Sequence, residues 1–144
     1  MIRILCVGKL KENYWKDSVS EYLKRINKYH KAELIELMDS NVKEETKQIL
    51  GKINSKDYNI LLDINGVKLD SLELAKKIDN TFINYSNITF IIGGSDGVGD
   101  EVKNIVNLRL SFSNLTFPHQ LFRVILLEQL YRSYKIINNE TYHK

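Results

Sequence analysis

The sequence contains one cysteine, one proline and three histidines among 144 residues. A lone cysteine cannot form an internal disulfide, and the scatter of one cysteine and three histidines through the chain disfavours a structural zinc site. Cys6 lies within an apolar stretch, which predicts a buried thiol. No apolar stretch approaches the roughly 20 residues of a membrane span, and the N-terminal one is too short for a secretory signal peptide. We therefore expect a cytoplasmic protein.

The charge of the chain is small but unevenly distributed. The formal net charge is +3, whereas residues 9–31 alone contain seven Lys or Arg and three Asp or Glu. A local basic patch suits a phosphate-rich partner, but a solvated helix face has the same composition, and charge alone favours the solvated face. The hydrophobic share of 43% suffices for one core, and no linker or repeat divides residues 1–144, so we expect a single domain.

Strand-like and helix-like segments alternate along the chain. The predicted strands are Ile2–Val7, Ala32–Met38, Tyr58–Ile64, Ile88–Ile92 and Leu108–Phe112. The predicted helices cover residues 13–29, 42–53, 71–84, 101–106 and 118 to about 135. Asp70 and Glu73 form a capping-box pattern, and Asn65-Gly66 predicts a turn after the third strand. This alternation predicts an α/β domain with a parallel sheet covered by helices on both faces.

Ligands of open parallel sheets bind beyond the carboxyl ends of the strands. Three such ends stand out here: Leu62-Asp63-Ile64 with Gly66, the Gly93-Gly94 pair, and the loop Ser113–Pro118. A Gly-Gly turn permits close approach of the backbone to a ligand, although it is more often only a tight turn. Neither a Walker loop nor the dinucleotide glycine spacing is present. These observations disfavour a nucleotide-phosphate site but remain compatible with a smaller nucleoside-bearing cofactor.

The last predicted helix is apolar around most of its circumference, which predicts burial on more than one side. Either a twofold dimer or a central position within one chain would provide that burial. Glu128 and Arg132 have the spacing of an ordinary surface ion pair, and His119 lies at the helix start, where a neutral imidazole is favoured. The polar residues 138–144 have the composition of a frayed terminus.

Several short motifs spread over the whole chain indicate a family. They are Val7–Lys9, Glu21–Arg25, Leu62–Gly66, Ile92–Gly97, Leu115–His119, Arg123-Val124, Glu128–Arg132 and Tyr142–Lys144. In these motifs the chain resembles the small SPOUT-class methyltransferases that modify a pseudouridine of large-subunit (23S) ribosomal RNA. The Thr-Phe-Pro-His junction and the Tyr-His tail are the most specific of them. The segment Asp39–Glu45 departs from the family pattern because it looks shorter than in other members.

The resemblance implies a C-terminal trefoil knot and a homodimer in which the tail of one chain completes the site of its partner. It implies S-adenosylmethionine as cofactor, bound by Leu62, Gly94, Ser113, Asn114, Leu115, Thr116, Phe117 and Pro118. It also implies catalytic roles for Arg132, Tyr142 and His143 in methylating N3 of a pseudouridine in the assembled ribosome. A non-catalytic RNA-binding module is the alternative. A flavodoxin-like phosphate binder is disfavoured, because Gly8–Lys11 lacks the Ser or Thr that would hold a phosphate.

Overall fold

The computed structural model describes residues 1–144, which form five strands and five helices. The strands are β1 (Ile2–Val7), β2 (Ala32–Leu37), β3 (Tyr58–Lys68), β4 (Ile88–Ile92) and β5 (Leu108–Ser111). The helices are α1 (Asn13–Ile26), α2 (Val42–Lys52), α3 (Ser71–Asn84), α4 (Asp100–Ile105) and α5 (His119–Ile137). None of these helices is both long enough and apolar enough to cross a membrane.

All five strands pair in parallel, in the order β2-β1-β4-β3-β5. Successive side chains of a strand point to opposite faces, so neighbouring residues join different cores. Ile4 and Phe90 pack with α1, α3 and α5, whereas Leu5 and Ile91 pack with α2 and α4. The predicted parallel α/β sheet with helices on both faces is therefore confirmed. The trefoil knot stays a prediction.

The third strand differs most from its prediction. The expected turn at Asn65-Gly66 is wrong, because β3 continues through it to Lys68. Leu62 and Val67 both pair with Leu110 of β5, so the four residues between them bulge out of the ladder. The other differences are shifts of element ends; α1, for example, ends at Ile26 rather than at residue 29.

Helix α5 occupies the middle of one face of the sheet, between α1 and α3. Leu126, Leu127 and Leu130 are fully buried there, so the helix is central within a single chain. The opposite side of α5 is only half-buried, and Leu121 and Ile125 on that side do not pack against either core. One long helix thus covers the sheet and also presents a partly apolar face to the outside.

The start of α5 is tied to the sheet by a buried arginine. Arg123 is 1% exposed, and its guanidinium donates to the carbonyl oxygens of Val7 at 2.9 Å and Gly8 at 2.7 Å. It also donates to a carboxylate oxygen of Glu36 at 2.9 Å. Charge-assisted bonds of this kind are strong when they are shielded from water. Arg123 therefore fixes the first turn of α5 against the carboxyl ends of β1 and β2.

Candidate active site

A cleft of about 330 Å³ opens at the carboxyl ends of β3, β4 and β5, within the usual size range of small-molecule sites. The three strand ends predicted from the sequence all line it. Six of the eight residues predicted to bind a cofactor contact the cleft: Leu62, Gly94, Ser113, Leu115, Thr116 and Phe117. Asn114 and Pro118 belong to the same loop but do not line the cleft. The structure therefore brings the predicted binding segments together, with two side chains set back.

The wall of the cleft that follows β4 is a tight turn, Gly93–Gly97, which contains three glycines. The N–H of Gly97 donates to the carbonyl oxygen of Gly94 at 3.0 Å, and Gly97 has a φ of +80°, which favours glycine. A Cβ atom on Gly93 would lie 2.8 Å from the side chain of Val98. Because the turn has few side chains, its backbone groups border the cleft directly.

The wall formed by β3 is the bulge that follows Leu62. Asp63 accepts hydrogen bonds from Arg109 Nε at 2.8 Å and from the backbone N–H of Asn65 at 3.0 Å. Burial alone would raise the pKa of Asp63, but these two bonds outweigh it and hold the pKa below its ordinary value. A Cβ atom on Gly66 would lie 2.5 Å from the backbone of Arg109. The bulge therefore depends on a glycine and on one ion pair.

The third wall is the loop between β5 and α5. The hydroxyl of Ser113 accepts the N–H of Leu115 at 3.0 Å, and the ring of Phe117 stacks on Phe122 at a centroid distance of 5.9 Å. His119 opens α5 and lines the cleft. Burial and then the charge of Arg123 lower the pKa of His119. The prediction of a neutral imidazole at this helix start is therefore supported.

A carboxylate that sequence reasoning missed lies directly behind the glycine turn. Glu45 of α2 is 3% exposed, and its Oε1 lies 2.6 Å from the position that a Cβ on Gly94 would occupy. Its Oε2 accepts the N–H of Ser40 at 2.8 Å. The neighbouring Thr46 accepts the N–H of Gly99 at 2.9 Å. The first turns of α2 thus hold the glycine turn from outside.

The three predicted catalytic residues also meet, at the other end of α5. Arg132 donates to Glu128 through Nη2 at 2.7 Å and through Nε at 3.4 Å. Tyr142 donates to the same carboxylate at 2.9 Å, and the guanidinium of Arg132 lies 4.8 Å from the centre of its ring. Glu128 was predicted as one half of a surface ion pair. Its side chain is only 20% exposed and connects Arg132 with Tyr142.

The predicted fraying of residues 138–144 is wrong. Asn139 adopts a φ of +55° after α5, which turns the chain back along the helix. Glu140 then accepts hydrogen bonds from Lys135 and Tyr29, each at 3.0 Å. Composition predicted fraying because every residue here is polar, yet these polar groups find partners on α5 and on Tyr29, in the segment that follows α1. The tail therefore has a defined position.

The geometry of the tail assigns the tautomer of His143. Arg132 Nη1 lies 3.1 Å from His143 Nδ1. A guanidinium can only donate hydrogen bonds, so Nδ1 accepts and a neutral ring carries its proton on Nε2. Arg132 itself remains charged, since its hydrogen bond to Glu128 raises its pKa above the ordinary value. Burial and the bond to Glu128 raise the pKa of Tyr142 to about 12, so its hydroxyl stays protonated.

Glu128 and the three residues predicted to be catalytic, Arg132, Tyr142 and His143, form a group that we call the catalytic cluster after that prediction. The cleft and this cluster are separate within one chain. None of the four residues lines the cleft, whose contact with α5 ends at Phe122. Ten residues of helix separate Phe122 from Arg132, which corresponds to about 15 Å along the axis. One chain therefore does not bring its own catalytic cluster to its own cleft.

Comparison with known proteins places the chain in a family. The family model described as "Predicted SPOUT methyltransferase" matches residues 1–143. The ribosomal RNA large subunit methyltransferase H of Clostridioides difficile is 49% identical over 157 aligned positions, covering 99% of each chain. The enzyme of the same name from Enterococcus faecalis is 45% identical with the same coverage.

Solved structures agree at the level of the fold. A probable methylase family protein of Haemophilus influenzae superposes with a TM-score of 0.58 at 12% identity, over 99% of this chain and 70% of its own. The AviRb methyltransferase of Streptomyces viridochromogenes, solved in complex with AdoMet, gives 0.50 at 8% identity, over 95% and 60%. Because the family model and these relatives match essentially the whole chain, the protein belongs to the SPOUT methyltransferase family.

Proposed function

We propose that this protein transfers a methyl group from S-adenosylmethionine to N3 of a pseudouridine in large-subunit ribosomal RNA. The observation that carries the proposal is a cofactor-sized cleft at the start of α5 together with a cluster at the other end of that helix, where Arg132 contacts Tyr142 and His143 of the tail. The full-length relatives named as large-subunit ribosomal RNA methyltransferases support the substrate class. A ribosomal substrate places the reaction in the cytoplasm, and assembled ribosomes are the proposed form of the substrate.

The lining of the cleft fits S-adenosylmethionine. Leu62, Leu115 and Phe117 supply apolar surface for an adenine ring, and the Gly94 turn supplies backbone groups without side chains that would block them. Leu115 is 71% exposed, which leaves its side chain free to pack on a ligand. When bound, S-adenosylmethionine supplies a methyl group already activated by the positive sulfonium. The chain itself must align the acceptor with that methyl and exclude competing geometries.

The active site is proposed to form between two chains. A methyl transfer requires reacting atoms about 3 Å apart, whereas a cleft and a catalytic cluster on one chain are separated by most of α5. A second copy can supply its cluster to the first cleft. The half-buried stripe of Leu121, Ile125, Glu128 and Arg132 runs along one side of α5 and would lie in such an interface. Its apolar part is the surface a twofold partner would cover.

The cluster can then handle the negative charge that develops on the base as N3 loses its proton. Arg132 is a permanent cation, and His143 Nε2–H is a free donor because Nδ1 is occupied by Arg132. Both groups can donate to carbonyl oxygens of the pseudouridine. Since Nδ1 is occupied and Nε2 carries a proton in this tautomer, the N3 proton would pass to a water beside His143 and from there to solvent. Glu128 positions both Arg132 and Tyr142.

The basic side of α1 is proposed to contact ribosomal RNA. Lys16 and Lys24 are exposed on this helix, Lys28 is exposed just after its end, and none of the three forms an ion pair with a carboxylate. Phosphate contacts release counterions, so we expect ribosome binding that weakens steeply with salt. The Lys16→Glu, Lys24→Glu double variant should lower the slope of that dependence. Ribosome binding that is insensitive to salt would remove α1 from the interface.

Two measurements test the reaction itself. Calorimetry should detect binding of S-adenosylmethionine to the isolated protein, which the non-catalytic RNA-binding alternative does not require. Mass spectrometry of ribosomal RNA from cells lacking the protein should show one pseudouridine without its methyl group, restored by wild-type protein but not by His143→Ala. An unchanged methylation pattern would refute the proposed substrate.

Mixed dimers test the site between chains. We expect a Leu62→Arg variant to lose cofactor binding and a His143→Ala variant to lose catalysis, each abolishing activity alone. In a dimer of one chain of each kind, one cleft and one cluster remain intact and face each other. Random mixing should therefore restore about one quarter of wild-type activity. If the mixture stays inactive while both variants dimerise, the cleft and the cluster do not come from different chains.

A further inference from the structure

Three carboxylates lie at the wall of the cofactor cleft that is formed by the glycine turn, two of them from α2 and the segment before it. Glu45 packs against Gly94, Asp39 lies close enough to influence it, and Asp96 belongs to the glycine turn and lines the cleft. Glu45 is 3% exposed, whereas Asp39 and Asp96 are exposed. None of the three forms an ion pair with a Lys or Arg. No Lys or Arg of the chain therefore offsets their negative charge by direct pairing.

A buried carboxylate with no cationic partner opposes folding. Burial raises the pKa of Glu45, the N–H of Ser40 partly opposes this, and the charges of Asp39 and Asp96 raise the pKa further. A carboxyl group whose pKa is raised in the folded state costs stability when it ionises. A glutamine would keep an oxygen acceptor for Ser40 and avoid that cost. The position of an acid here therefore indicates a use for its charge.

We propose that the carboxylate of Glu45, supported by Asp39 and Asp96, makes the cleft discriminate between the positively charged methyl donor and the uncharged thioether left after transfer. This inference rests on the proposed function. S-adenosylmethionine and S-adenosylhomocysteine share the adenosine, the amino group and the carboxylate, and they differ in the methyl group and in the sulfonium charge. A negative wall beside Gly94 lowers the free energy of the sulfonium form more than that of the thioether, because only the former carries this additional positive charge.

Tighter binding of the sulfonium donor than of the thioether product would speed the release of the product after each reaction. Loss of the sulfonium charge on methyl transfer removes the attraction to this wall, so the product is held less tightly than its other contacts would allow. Two unit charges several ångströms apart near a protein surface interact strongly enough to change a binding constant about tenfold. The other titratable groups at the cleft are Asp63 on β3, Lys103 on α4 and the neutral His119 on α5. Lys103 influences Asp63 on the opposite wall, and burial lowers the pKa of His119.

The test compares Glu45→Gln with the wild type by calorimetry, using S-adenosylmethionine and S-adenosylhomocysteine as separate ligands at pH 7. We expect Glu45→Gln to bind the sulfonium form about tenfold more weakly and the thioether within about twofold of the wild type. Its melting temperature should equal or exceed that of the wild type, since it removes an unfavourable buried charge. The matched control is Glu44→Gln, which removes the same charge from an exposed neighbour and should change neither affinity.

A pH series supplies a second readout. As the pH falls through the raised pKa of Glu45, protonation of this carboxylate should lower the wild-type preference for the sulfonium form, while Glu45→Gln should show a flatter profile. His119 is present in both proteins, so the difference between their profiles isolates Glu45. Equal weakening of both ligands in Glu45→Gln, or parallel pH profiles, would overturn the inference and leave the proposed function intact. A wild-type protein that binds neither ligand would overturn both.

Discussion

Glu128 is the residue whose replacement tests the catalytic cluster most directly. It receives two bonds from Arg132 and one from Tyr142, and Glu128→Ala removes all three without touching the cleft. Hydrogen bonds to charged groups contribute about 1.5–3 kcal/mol. Because the Arg132–Glu128 pair is partly exposed, we expect its loss to raise the activation free energy of methyl transfer by only about 1–2 kcal/mol. We therefore expect kcat to fall roughly 5- to 30-fold while KM for S-adenosylmethionine stays within about twofold.

Single-turnover methylation of ribosomes at saturating cofactor measures this loss, and calorimetry measures cofactor binding separately. The pKa of Tyr142, about 12 in the wild type, should fall in Glu128→Gln because its hydroxyl loses a carboxylate partner. Glu21→Gln is the matched control, since Glu21 pairs with Arg25 at the same helical spacing on α1. An unchanged kcat in Glu128→Ala, or a rise in KM with no change in kcat, would show that Glu128 does not position the cluster.

Three further variants test the scaffold by urea unfolding. Gly66→Ala should lower the free energy of unfolding by about 1–3 kcal/mol, because its Cβ would collide with the backbone of Arg109. Arg123→Met should cost about 3 kcal/mol by leaving buried acceptors unpaired, whereas Arg25→Met on the surface should change stability little. Asp63 has a lowered pKa, so its carboxylate contributes to the free energy of unfolding at neutral pH, and this contribution is lost as the pH falls through that pKa. Asp63→Asn should therefore be less stable than the wild type at pH 7, and the free energies of unfolding of the two proteins should converge in acid.

Local patterns were sufficient to predict most of the fold. The capping box of Asp70 and Glu73 is present at the start of α3, and Cys6 is fully buried with its pKa raised to about 12. The end of β3 could not be predicted in this way. Asn65-Gly66 has the composition of a turn, but pairing with β5, some 45 residues later in the chain, extends the strand past it. Non-local hydrogen bonds here outweigh the local preference of two residues.

The sequence predicts which segments of the chain form the candidate site, but it does not predict all of the side-chain contacts within it. Strand ends located the cleft, because parallel strands place their carboxyl ends at one edge. Glu45 left a signal that was not used: with Val42 and Ile49 it falls on the apolar face of α2, where an acid requires an explanation. The role of Glu128 depends on a tail residue 14 positions later, and helical spacing alone does not reveal that contact.

The two ends of α5 are held by contacts of different strength, and this difference suits the proposed reaction. Near the cleft, Arg123 binds backbone carbonyls in a site that is 1% exposed. Near the tail, Lys135 and Glu140 form a bond that solvent reaches, since the Glu140 side chain is 43% exposed. Exposed bonds open at lower free energy than buried ones. In the proposed reaction the tail would move aside to admit a ribosomal base while the first turn of α5 keeps its place at the cleft, and the return of the tail would bring Tyr142 and His143 onto the base.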